Sequence, residues 1–240
     1  MQLTVYIELE KPLTLPVNYN HILQSVIYRG ISSVSEFGDF VHDEGYRWGK
    51  RQYKMFQFSQ LLGKYSVMGK QITFWNQVSF EIRSPEPLLL RLLGESFWTH
   101  GIAFGEYTYT DIQMELYDYT VEECDLLIRM KSPLTVYSTE EETGRTYYFN
   151  PDEPMFYDSI NDNFFRKYQA YYGVTPSSGI NMEIYGDKIP RKMVTRYKGI
   201  LITGWYGTYR LSGKRKYLDF LYQTGLGSKN AQGFGMFTIL

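Results

Sequence analysis

The chain has 240 residues, a hydrophobic fraction of 43%, a charged fraction of 21% and a net charge of -1, values that exclude a disordered polymer and leave room for one large or two small domains. Its one cysteine, Cys124, excludes an intrachain disulfide and points to a reducing compartment. No apolar run approaches the length of a membrane helix, and Glu8, Glu10 and Lys11 argue against a secretory signal, so a cytoplasmic protein with no membrane partner is expected.

Residues 3–9 alternate Leu3, Val5, Ile7 and Leu9 with Thr4, Tyr6 and Glu8, the pattern of a half-buried strand. Pro12 and Pro16 then interrupt the chain. Over 19–31, Ile22, Leu23, Val26 and Ile27 recur at helical spacing. A second short helix is expected over 35–42, with Ser35 as its cap and Gly45 as its stop. Strands are expected over 54–61 and 72–82, divided by Gly63 and Gly69. A helix opened by Pro85 or Pro87 and a strand over 111–119 complete a β-α-β-β-α-β order.

The second half repeats that order. A strand over 126–135 leads through a tyrosine-rich loop to Pro154. An amphipathic helix over 158–172 uses Ile160, Phe164, Phe165 and Tyr168. Strands follow over 182–185 and 193–209, the second bent at Gly199 or Gly204. Ser212 is read as the cap of a basic helix over 214–222, and 234–240 as the last strand. The predicted fold is α+β: two tandem ferredoxin-like, RRM-like units over 1–122 and 123–240, with a glycine-rich loop before the final strand. Such a fold hosts many functions, RNA binding among them, so function has to come from sites.

Charge is segregated along this frame. Residues 186–240 carry ten Lys or Arg against two acids, a surplus of eight, and residues 1–185 carry a deficit of nine. Residues 45–80 hold Arg47, Lys50, Arg51, Lys54, Lys64 and Lys70 with no acid at all. Segregation on this scale suggests a polyanion-binding face; its alternative is a solvated basic surface. The 23 tyrosines suit both strands and base-stacking platforms.

In "TGLGSKNAQGFGMFTIL" the glycines 225, 227, 233 and 235 frame a polar stretch with Lys229. A dinucleotide fingerprint or Walker loop must follow a strand and open a helix, whereas these glycines follow a helix and precede a strand. A nest of backbone N–H groups laid along a nucleic-acid backbone is the favoured reading, supported by Lys214, Arg215 and Lys216 on the preceding helix. "GLGSKNAQGFGMF" resembles the carboxy-terminal glycine-rich motif of the CRISPR repeat-processing endoribonucleases, the Cas-six family. "LPVNYNHILQSVIYRGI" looks like that family's first helix, and "SPLTVYST…GRTYYFNPDEPMFYDSINDNFFRKYQAYYG" like its mid-chain segment.

The three histidines His21, His42 and His100 have no metal-ligand spacing, and no carboxylates cluster, so neither metal nor cofactor is expected. RNA carries its own nucleophile, the 2′-hydroxyl, which needs a base, an acid for the leaving 5′-oxygen and cations for the developing charge. His42, in "DFVHDEG" beside the acid-free basic stretch, is the candidate acid/base; a histidine at a helix end is otherwise often structural. The resemblance favours the catalytic role, because the family's histidine is followed by an acid, as His42 is by Asp43. It also implies that Tyr28, otherwise a rim tyrosine, lies at the scissile phosphate, and that Lys54 neutralises the transition state. Lys50 and Arg51 compete with Lys54 for that role.

The RNA would be gripped by Lys50, Arg51, Lys188, Arg191, Lys192, Lys214 and Arg215, together with Gly225, Gly227, Lys229, Asn230, Gly233 and Gly235. The implied function is metal-independent cutting within the repeats of CRISPR precursor RNA. A catalytically silent module that retains guide RNA is the alternative. Repeat RNA is the expected partner, and other Cas proteins and a second copy of the chain are open as further ones.

Overall fold

The computed structural model describes residues 1–32, 36–187 and 189–240, the side chains of Ser32, Glu36 and His42 excepted. The first sheet is organised around the 13-residue strand Gln71–Arg83. One edge of it pairs antiparallel with Gln2–Glu8, Leu3 opposite Ile82, and further along with Leu13–Pro16. Its other edge takes Leu62–Met68 and the short Gln57–Phe58. Ile112–Tyr117 closes the sheet on the outer side of the first strand. The alternation read in the sequence explains this placement: Leu3, Val5 and Ile7 are buried, against the helices Asn20–Ser32 and Pro87–His100. Gly30 sets how closely those helices approach, since a Cβ there would lie 2.9 Å from Leu93 Cδ2 and 2.9 Å from Phe97 Cε1.

The second sheet runs in the order Asn181–Ile184, Thr208–Ser212, Asp125–Met130, Phe237–Ile239, all antiparallel. Helices Pro154–Tyr172 and Arg215–Thr224 cover it, with Phe156, Phe164, Tyr217 and Phe220 filling the space between. In both sheets the first and third strands of the motif lie side by side in the middle. That is the ferredoxin-like arrangement expected from the sequence.

Several local expectations are corrected. The segment 193–209 is a hairpin, Arg191–Tyr197 with Ile200–Tyr206, followed by the separate strand Thr208–Ser212. Lys198 and Gly199 both take positive φ, 45° and 89°, the geometry of a tight hairpin turn. The expected strand over 54–61 reduces to Gln57–Phe58 because Met55 sits at φ 51° and breaks the pleat. Helix Arg215–Thr224 is preceded by Lys214 in extended conformation, and Ser212 ends a strand instead of capping the helix. The short helix appears as Glu36–Asp39 running into the wide turn Phe40–Glu44, stopped at Gly45 with φ 61°. Ser35 lies outside the described residues.

The two sheets meet across a buried arginine. Arg83 donates from Nη1 to the carbonyl of Phe237 at 2.7 Å, from Nε to Gln2 Oε1 at 2.7 Å and from Nη2 to Glu81 at 3.3 Å. Its guanidinium lies 3.9 Å from the centre of the Tyr222 ring, and Glu81 also pairs with Lys131. Gln57 Nε2 adds a bond to the carbonyl of Tyr222 at 2.7 Å. Replacing Arg83 by alanine strands the Phe237 carbonyl and leaves Glu81 with Lys131 alone, so urea unfolding should show a loss of about 3–5 kcal/mol. A loss under about 1 kcal/mol would mean that this junction is not what joins the halves.

Candidate RNA-binding and cleavage site

Where the halves face each other there is a cavity of about 500 Å³. The first half lines it with Gln24 and Tyr28 from the helix Asn20–Ser32 and with the segment 51–56; the second supplies Tyr137, Thr139, Asn163, Lys167 and the loop residues 228–232. Three of these side chains, Arg51, Lys54 and Lys229, are cationic, Lys167 is a further amine buried behind them, and no carboxylate belongs to the described lining. The charge segregation seen in the sequence thus becomes a focused positive potential between two low-dielectric walls.

Tyr28 projects from the first helix with its ring edge-on to Phe56, centroids 5.7 Å apart. Burial pushes its hydroxyl up to about 12, so it is a hydrogen-bond donor at neutral pH. Lys54 is held below its ordinary value by burial, while Asp43 draws it back up. A Cβ on Gly45 would lie 2.7 Å from the Tyr53 carbonyl and 3.1 Å from Lys54 Cδ. The turn Phe40–Glu44, whose backbone includes His42, is therefore laid directly beside Lys54, the residue that follows the strand Arg51–Tyr53. The side chain of His42 is outside what the structure describes.

The glycine-rich loop is folded on itself. Gly225, Gly227, Gly233 and Gly235 are all buried, at φ 86°, 63°, 84° and 81°. A Cβ on Gly235 would fall 2.0 Å from the Leu226 carbonyl oxygen, which only glycine avoids. The N–H groups of Gly225, Leu226, Ser228, Gln232, Gly233 and Gly235 already donate to backbone carbonyls. The N–H groups of Gly225, Gly233 and Gly235 are thus turned to the protein's own carbonyls, the glycines let the loop close, and Ser228 to Gln232 face the cavity. Lys229 holds its ammonium 4.7 Å from the centre of the Tyr137 ring.

A residue the sequence reading passed over organises this loop. Lys167, 2% exposed on the helix Pro154–Tyr172, donates from Nζ to the carbonyls of Gly225 at 2.6 Å and Thr224 at 3.3 Å and to Asn230 Oδ1 at 3.0 Å. Asn230 in turn donates to the carbonyls of Leu226 and Phe234, both at 3.0 Å. From the first half, Gln24 Nε2 reaches the Ala231 carbonyl at 2.5 Å and Asn20 Nδ2 that of Gln232 at 3.0 Å. The signal was available: Asn163 and Lys167 stand on the same helical stripe as Ile160, Phe164 and Tyr168, where a polar residue has to be doing something other than facing water.

Burial pushes the Lys167 ammonium from 10.5 down to about 7. Between those values the unfolded chain binds the extra proton, so this group's contribution makes stability rise as pH climbs from about 7 toward 10. Urea midpoints should increase over that window in the wild type, and Lys167→Met should remove that component of the rise. An identical pH slope in the two proteins would refute the assignment.

The other expected contacts are distributed. Arg51 lines the cavity; Lys50 is exposed at the tip of the hairpin Tyr46–Trp48 and Arg51–Tyr53. Arg191 and Lys192 are exposed on the inserted hairpin, against the rings of Tyr206 at 4.9 Å and Trp205 at 5.8 Å. That hairpin reaches the first half through Asn18, which donates to the Arg196 carbonyl at 3.1 Å, and through Tyr197, which donates to Gln24. Lys214 and Arg215 stand at the start of the helix whose other end enters the glycine loop, about 15 Å away by helical rise, and Lys214 donates to Ser177 Oγ at 2.7 Å. They do not join the cavity, which corrects the link drawn between them and the loop. Lys188 lies outside the described residues. His21 and His100 bond locally to the carbonyls of Asn18 and Ser96. No helix among the described residues is long and apolar enough to cross a membrane.

Two ferredoxin-like units that close on a cation-lined, carboxylate-free cavity define a protein class built for a polyanion. The family model described as CRISPR associated protein Cas6, C-terminal, matches residues 117–239, and the chain belongs to that family. Among curated relatives, the CRISPR-associated endoribonuclease Cas6 of Pyrococcus furiosus is 25% identical over 254 residues, covering 95% of this chain and 84% of the relative. The CRISPR-associated endoribonuclease Cas6 1 of Methanocaldococcus jannaschii is 22% identical over 250 residues, covering 98% and 91%. A solved structure described as a RAMP protein binding different RNA substrates superposes with a TM-score of 0.83 at 20% identity, covering 100% of this chain and 99% of that one.

Proposed function

We propose that this chain is a cytoplasmic, metal-independent endoribonuclease that cuts within the repeats of CRISPR precursor RNA, with its two units divided near 122/123. The observation that carries the reading is the cavity in which Tyr28 and Lys54 of the first half meet Lys229 and Asn230 of the glycine-rich loop. In the reaction the 2′-hydroxyl loses its proton and its oxygen bonds to the adjacent phosphorus. The bond from phosphorus to the 5′-oxygen breaks, and that oxygen takes up a proton. His42 serves the proton transfers. Tyr28 donates a hydrogen bond to the phosphate, and Lys54, flanked by Arg51, neutralises the developing charge. The exposed cations of the inserted hairpin, Arg191 and Lys192, extend the basic track beyond the cavity.

Incubated in EDTA with repeat RNA from its own genome, the protein should cut once per repeat. The upstream fragment should end in a 2′,3′-cyclic phosphate and the downstream one begin with a 5′-hydroxyl that a kinase labels without prior phosphatase. Tight binding with no product at enzyme excess would instead mark a module that only retains guide RNA. Binding should weaken steeply with salt, as phosphate contacts require.

A further inference from the structure

The helix that carries Tyr28 meets the glycine-rich loop along one stripe. Asn20, Gln24 and Tyr28 stand four residues apart on Asn20–Ser32, so their side chains leave the same face on successive turns. Asn20 donates to the carbonyl of Gln232 and Gln24 to that of Ala231, and the next turn brings Tyr28 into the cavity lining. Gln24, 8% exposed, also accepts from the hydroxyl of Tyr197 on the inserted hairpin. Tyr197 packs with Ile202 of that hairpin and with Phe234 of the loop. One amide therefore joins helix, loop and hairpin. Its orientation is fixed, because the Ala231 carbonyl can only accept and must face the amide nitrogen. The loop itself is braced from the second half, where Lys167 holds Asn230 and the carbonyls of Thr224 and Gly225. Of the ties described between the helix and that braced loop, Gln24 is the one nearest Tyr28 in the chain.

We propose that Gln24 is a positioning residue of the cleavage reaction: held by Tyr197 and Ala231, it sets the turn of helix that bears Tyr28 at a fixed place relative to Lys229 on the facing wall. Both the oxygen and the nitrogen of its amide are engaged by the protein, so it acts on geometry and touches no reacting atom. The phosphate takes a hydrogen bond from a hydroxyl of the first half and charge from an ammonium of the second. Attack by the 2′-oxygen needs both contacts at once, and a displacement of about 1 Å in one of them can cost about 10²-fold in rate. The hydroxyl of Tyr28 also feels the neighbouring phenol of Tyr197, which adds to burial in holding its proton. The inference rests on the RNA-cleavage reading above.

The test is a double-mutant cycle on single-turnover cleavage of repeat RNA, with Gln24→Met, Tyr28→Phe and the two combined. Gln24→Met keeps the length of the side chain and removes both hydrogen bonds. It should slow cleavage by about 10–100-fold and leave the RNA dissociation constant within about threefold, because no phosphate contact is lost. In the Tyr28→Phe background the same change should slow cleavage by no more than about twofold, since the group it places is gone. A residue that only supports the fold would cost the same factor in both backgrounds. Tyr197→Phe is the second variant, should Gln24→Met impair folding; it keeps the ring against Ile202 and Phe234 and withdraws only the hydroxyl. Its slowing, about 3–10-fold for one hydrogen bond, should vanish in the Tyr28→Phe background in the same way. Equal slowing with and without the Tyr28 hydroxyl, or wild-type rates in both variants, overturns the proposal while the nuclease reading stands. Failure of the wild type to cut repeat RNA removes that reading itself, and the proposal with it.

Discussion

A repeat RNA carrying a single 2′-deoxy nucleotide just 5′ of the cut should not be cleaved at all. The prediction follows from what the cavity contains. Its lining offers amides, aromatic rings, cations and the hydroxyls of Thr139, Thr224 and Ser228, and no histidine or carboxylate in the described lining stands by to activate one of those hydroxyls as an attacking group. Tyr28, with its hydroxyl pushed up to about 12, stays protonated at neutral pH and does not serve as an attacking oxyanion. In the proposed mechanism the substrate's own 2′-oxygen is the nucleophile, and deleting it removes the bond-forming atom while sparing every phosphate. Affinity for the deoxy-substituted RNA should stay close to that of the parent, so gel mobility and cleavage assays on one substrate separate binding from chemistry. A cut at the modified position would require attack by water and would refute the mechanism.

The second large effect is expected at His42. Replacement by alanine should slow cleavage by about 10²–10⁴-fold, the contribution typical of a general acid or base, while the RNA is still bound. The backbone supports the role. Gly45, at φ 61°, ends the turn Phe40–Glu44 and presses it against Tyr53 and Lys54, and Asp43 is near enough to raise the affinity of Lys54 for its proton. The turn that carries His42 and the segment that carries Lys54 are therefore neighbours, as a proton relay beside a charge-neutralising group requires. Single-turnover rates across pH would show whether a titrating group with the histidine range is lost in the variant. A rate within a few-fold of wild type would move the acid/base role elsewhere.

Much of the architecture could be read from periodicity, because each half buries one face of a sheet. Alternation at Leu3, Val5 and Ile7 and the helical stripe of Ile160, Phe164 and Tyr168 report that burial directly. What escaped reading was set by backbone conformation. Lys198–Gly199 is a weak turn signal between two runs of strand-favouring residues, so a hairpin looked like one long strand. Met55 at positive φ breaks a strand without any glycine or proline to announce it. At the site, residue types were legible and their assembly was not. Tyr28, Arg51, Lys54 and Lys229 were singled out separately, and only the packing of the two halves shows that they share a cavity. The sequence reads the loop glycines as facing a ligand because their freedom suits close approach; the approach they permit in the fold is to the protein's own atoms, backbone at Gly227 and Gly235 and side chains at Gly225 and Gly233.

Arg83 carries a further implication, for how the molecule is made. Its acceptor, the carbonyl of Phe237, lies 154 positions downstream, so a ribosome completes the first sheet long before that acceptor exists. Until then a guanidinium destined for burial must stay wetted, and the surface around Tyr222 that will cover it is missing as well. The early half of the nascent polypeptide thus lacks the partners of Arg83 until the last strand has been made, and the cavity between the halves, lined in part by residues 228–232, has its full lining only once those residues exist.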